Sequence, residues 1–112
     1  MNLFHPTALP PQNSETFTTL LQHPNLSIEY IVSHSIDEGK WMTQISDEWV
    51  LLLQGEATLT YNDGVEKSLI QGEYLFIKAN TKHRVKSTSK SAIWLAVHIN
   101  VNEQSTLIKT RN

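Results

Sequence analysis

The sequence predicts an all-β chain, a sandwich or barrel of short antiparallel strands. Three observations carry that expectation. Runs rich in Val, Ile, Thr and aromatic residues recur with a turn signal every ~8–12 residues. Helical periodicity is almost absent across the 112 residues. Asn62-Asp63-Gly64 between two such runs is a strong hairpin signal, because Asn, Asp and Gly tolerate positive φ.

In chain order, Thr16 to Gln22 (TFTTLLQ) fits a strand or a helical turn, and its β-branched content favours strand. Leu26 to Ser33 alternates as a strand should, and Asp37-Glu38-Gly39 reads as a turn. A short strand is expected over Lys40 to Ile45 and a longer one over Glu48 to Gln54. Thr58 to Tyr61 and Val65 to Ile70 flank the hairpin. Tyr74 to Ile77, His83 to Ser87 and Ile93 to Ile99 follow, for roughly nine strands, and Thr106 to Lys109 is a candidate for one more.

Composition narrows the function classes. A chain of 112 residues is expected to form one domain, 1–112, with an N-terminal segment over 1–26 and a barrel core over 27–99. With no cysteine there is neither a disulfide nor a thiolate metal site. The first residues lack a basic start and a continuous apolar run, and no segment approaches the ~20 apolar residues that span a bilayer. A soluble cytoplasmic protein without membrane contact is expected.

Net charge is −2, unevenly spread: residues 1–77 hold two lysines against ten acidic residues, and 78–112 hold seven basic residues against one glutamate. Lys82, Arg84 and Lys86 alternate and so share one strand face. No aromatic residue interleaves them and the total charge is negative, so a solvated outer face is expected rather than a nucleic-acid surface.

Period two puts Glu48, Val50 and Leu52 on one face of their strand and Trp49, Leu51 and Leu53 on the other. Both faces therefore need cover, from the N-terminal segment or from a second copy. Ile93 to Val97 poses the same problem, and a homodimer is the expected solution.

The most informative spacings are Glu48-x6-Gly55 and Gly72-x10-His83, sixteen residues apart. They resemble the two signature motifs of the cupin family, G-x5-H-x-H-x3/4-E-x6-G and G-x5-P-x-G-x2-H-x3-N, and the likeness spans roughly residues 27–99. The resemblance implies a jelly-roll barrel (double-stranded β-helix) with Glu48 and His83 projecting into its cavity. It departs from the family pattern at several places. The first-motif histidines would fall at Met42 and Gln44, or at Trp41 and Thr43. Lys78, Asn80 and Ser87 stand where proline, glycine and asparagine are usual, although Asn80 can adopt the left-handed conformation a glycine would supply.

In many cupins three histidines and the glutamate hold zinc, iron, manganese or nickel, since imidazole and carboxylate are the usual donors for such ions. The resemblance therefore implies a divalent transition metal held by Glu48 and His83, with His98 or Gln44 completing a weaker set. His34 is a further candidate near a strand end, and His5 and His23 read as surface residues. Each has a structural alternative: a buried ion pair for Glu48 and His83, and for His98 a core histidine donating to a backbone carbonyl. Trp41 and Trp94 are expected as core or cavity wall, able to stack on a ligand. The expected function is small-molecule binding in the barrel. Two enzyme alternatives accompany it: a metal-dependent oxygenase, and a metal-free sugar isomerase or epimerase using a His–Glu pair. No Gly-rich phosphate loop or nucleophile elbow occurs.

Overall fold

A computed structural model of the protein describes residues 1–6 and 8–100. Eight strands follow one another: β1 Ser14–Gln22, β2 Leu26–His34, β3 Asp47–Gln54, β4 Glu56–Tyr61, β5 Glu66–Ile70, β6 Tyr74–Ile77, β7 His83–Thr88 and β8 Ala92–Ile99. They form two antiparallel sheets, ordered β1-β2-β8-β3-β6 and β5-β4-β7. The described residues contain no helix, and the expected jelly-roll architecture is the one observed. None of their segments is a helix long and apolar enough to cross a membrane.

Strand alternation builds the interior. Glu48, Val50 and Leu52 are buried on β3, and their partners on β8 are His98, Ala96 and Trp94. From the smaller sheet, Ala57, Leu59 and Leu69 close the same core against Ile31, Ile77 and Ala92. The hairpin forms at Asn62-Asp63-Gly64, with Gly64 at φ 90 and the Asp63 carboxylate accepting from the Val65 N–H. Gly55 links β3 to β4 at φ 93, and a Cβ there would lie 2.5 Å from the Ser91 carbonyl oxygen. Only glycine suits both the turn and that approach.

The outer face of the larger sheet is partly covered by the first residues. Leu3 and Leu53 pack on Tyr30, Val32 and Ile93, and the Tyr30 hydroxyl donates to the Leu3 carbonyl at 2.6 Å. Trp49 meets Tyr74 with ring centroids 5.6 Å apart.

One expectation needs correction. Residues 40–45 make no strand: only Met42 bridges to His83, while Ile45 is exposed. The segment spends its backbone polar groups on loop contacts instead, Met42 with His83 in both directions and the Gln44 carbonyl with the Asn80 N–H. Residues 14–22, ambiguous in sequence, form β1 and pair with β2, at one edge of the larger sheet. Thr106 to Lys109 lies outside the described residues.

Candidate functional site

Alternation that fills one end of the barrel with aliphatic side chains delivers polar ones at the other. There a cavity is lined by Glu15, Glu29, Gln44, Glu48, His83 and His98, with Trp94, Met42 and aliphatic residues between them. It leaves about 50 Å³ for the centres of water-sized molecules. A wider cleft of about 320 Å³, lined by Ser14, Ile36, Gly39 and Lys40, shares Glu15, Phe17, Met42 and Val85 with it. The cleft is therefore contiguous with the cavity at the β1 edge.

His83 opens β7 and is almost fully buried. Asn80, at φ 64, provides the left-handed turn before it. Its Nδ1 lies 2.8 Å from the Thr81 carbonyl oxygen. A carbonyl only accepts, so Nδ1 carries a proton and, in the neutral ring, Nε2 presents a lone pair. That nitrogen faces Glu48 Oε1 at 3.8 Å, too long for a hydrogen bond. Glu48 Oε1 and Gln44 Oε1 are buried with no protein partner. The Tyr61 ring stands 6.5 Å from the imidazole.

Burial pushes the Glu48 carboxyl above its ordinary pKa; His98 and His83 oppose that rise, and Glu29 and Glu15 add to it. Glu15 is likewise raised by burial, against a hydrogen bond from Ser33. Ser33 in turn accepts from the Trp94 indole N–H at 3.0 Å, so Trp94, Ser33 and Glu15 form a chain from the core to the rim. Burial chiefly, then Glu48, also raises the Tyr61 hydroxyl.

The other candidates separate clearly by position. His98 lines the cavity, but its Nε2 is 2.9 Å from Glu29 Oε1 rather than on a backbone carbonyl. Trp94 forms part of the wall, whereas Trp41 lies outside it, 41% exposed beneath Lys82 and Arg84. His34 contacts the Pro10 carbonyl oxygen. His5 and His23 are exposed. The basic stripe faces outward, Arg84 paired with Glu38 and Lys86 with Glu66. Glu15 and Glu29 were not anticipated as site residues, although parity with Ile31 and Ser33 was the available signal for Glu29.

The donors do not make a resident transition-metal site of the three-histidine, one-glutamate kind. Of the two possible motif alignments, the one that places side chains in the cavity gives Met42 and Gln44, a thioether and an amide. His98 is engaged by Glu29. Among the described residues no three His, Cys, Asp or Glu side chains converge, so Glu48, His83, His98 and Gln44 are not a preformed ligand set.

No curated protein matches the chain. A solved structure from Ralstonia eutropha JMP134, provisionally called a mannose-6-phosphate isomerase, is 31% identical over 90% of this chain and 97% of that one, with TM-score 0.76. A cupin superfamily protein from Desulfitobacterium hafniense DCB-2 is 18% identical over 84% of both chains, with TM-score 0.67. Fe(II) HppE is 18% identical with TM-score 0.69; the match covers 76% of this chain and half of that protein. Residues 37–98 match the cupin domain family, and together with the jelly-roll barrel and the Ralstonia likeness this shows that the chain belongs to the cupin family.

Proposed function

We propose that this cupin binds a small molecule in the barrel cavity, where Glu48 and His83 receive hydrogen-bond donors from the ligand. One observation carries the reading: Glu48 Oε1 is buried with no protein partner, and the Nε2 lone pair of buried His83 faces it at 3.8 Å. A buried acceptor without a partner costs about 1–3 kcal/mol, which a bound donor recovers. Mass spectrometry of material released by denaturing natively purified protein tests this. A stoichiometric small molecule, lost in His83→Ala while that variant stays folded, is the expected result. Release of nothing from the unaltered protein, or retention by the variant, overturns it.

A second reading, metal-free proton transfer of the isomerase kind, is favoured by the tautomer of His83. With Nδ1–H donated to Thr81, Nε2 is free to act as base. Glu48, its pKa raised by burial, can hold the proton that a neighbouring oxygen needs. The isomerase name given to the Ralstonia relative supports this class. Deuterium exchange at the carbon beside a sugar carbonyl, abolished by His83→Ala, would establish it. Were a divalent metal held here, Glu48 and His83 would be the residues to hold it, because the remaining donors are a thioether, an amide and a paired histidine. Elemental analysis of the same preparation measures that directly.

We further propose a homodimer through the uncovered part of the larger sheet's outer face. Tyr74 is 63% exposed, Phe76 55% and Ile99 41%, on strands whose neighbours Trp49 and Leu51 are also apolar. Sedimentation at micromolar concentration should give about twice the monomer mass, and Phe76→Glu should halve it.

A further inference from the structure

We propose that the cavity selects a small organic cation, an alkylammonium group seated on Glu48 and His83, and rejects anionic ligands such as phosphate esters. This deepens the small-molecule reading above and rests on it. The lining carries three glutamates, Glu15, Glu29 and Glu48, and no lysine or arginine. Glu29 is already matched by His98 at 2.9 Å, and Glu15 accepts from Ser33. Glu48 is the member left over: its side chain is 9% exposed and its Oε1 has no partner.

The facing nitrogen does not supply that partner. His83 spends its N–H on Thr81, so both groups at the centre of the cavity present lone pairs. An ammonium offers several N–H donors from one atom and supplies the countercharge that a desolvated carboxylate lacks. Its alkyl part would lie along Val50, Leu59, Ile77 and Val85, with the Trp94 ring as wall. A carboxylate or phosphate group would face three carboxylates instead. Lys40 lines the outer cleft and not the cavity.

A matched series tests the proposal on the full chain: butylamine, 1-butanol and butyrate, equal in shape and different in charge. Binding is followed by the proton resonance of the Trp94 indole N–H, which sits inside the barrel on Ser33. Butylamine should bind at least tenfold more tightly than 1-butanol, butyrate should not bind, and Glu48→Gln should erase the preference. Should that variant unfold, Glu15→Gln at the rim should still reduce it. If butyrate or butanol shifts the indole signal at equal or lower concentration than butylamine, the charge selection is wrong while the cavity still binds small molecules. If no member of the series shifts it, the binding reading falls as well.

Discussion

The two ends of the barrel are built from the same strands and differ almost entirely in what they bury. Towards Gly55, β3 contributes Leu52, fully buried, beside Ala57 and Leu69 in a closed aliphatic core. Four residues earlier on the same face, β3 contributes Glu48, with His98 across from it on β8. One end is satisfied by packing alone. At the other, the side-chain oxygens Glu48 Oε1 and Gln44 Oε1 are buried without a protein partner. Alternation fixes where a side chain goes; its chemistry decides whether the place becomes core or site.

That contrast can be broken most severely at the packed end. Leu52→Ala removes a side chain with no exposure and should cost about 2–5 kcal/mol in urea unfolding. Gly55→Ala should cost more than about 1 kcal/mol, since it forces both a positive φ and a close contact with the Ser91 carbonyl. A neutral result at either position would mean that this end repacks freely.

At the cavity end the sign should reverse. Glu48→Gln removes a carboxylate that burial disfavours and should stabilise the empty protein at neutral pH, on the order of 1 kcal/mol. The folded pKa of Glu48 lies above its unfolded one, so the folded state binds protons more tightly. The unaltered protein should therefore gain stability as pH falls through the folded pKa, and the advantage of the variant should shrink over that window. Thermal melts of both proteins between pH 7 and about 4.5 measure it; an advantage constant across that range would contradict the raised pKa. Outside the barrel, Lys86→Ala, which breaks an exposed pair with Glu66, should leave the melting temperature unchanged.

Much of the packed end was legible from the chain. Parity on β3 assigns Val50 and Leu52 to the interior, and the hydrophobic runs mark β2, β3 and β8 within a residue or two. The Glu48 and His83 spacing, read through the family resemblance, anticipates two side chains that the barrel brings within 3.8 Å. Harder to read was whatever depends on the third dimension. Residues 40–45 have strand-like composition, but their one bridge to β7 is too short to extend. Glu29 stands opposite Ala96 on β8, so its side-chain contact with His98, two positions further on, has no signal along the chain. Trp41, expected at the wall, is held outside by Lys82 and Arg84 over its ring, a contact between residues some forty positions apart. No local pattern encodes such pairings.

The free edge of β1 has a consequence for handling the protein rather than for its chemistry. Residues 16–22 are exposed, uncharged and free of proline, and among the described residues no strand pairs with their outer side. An uncharged, threonine- and leucine-rich border of this kind is a template for strand addition by other molecules. Storage life should then be set by the encounter rate of these borders and not by unfolding. Thr18→Lys, a gatekeeper charge on an exposed position, should slow the growth of turbidity in concentrated solution while leaving the melting temperature in place.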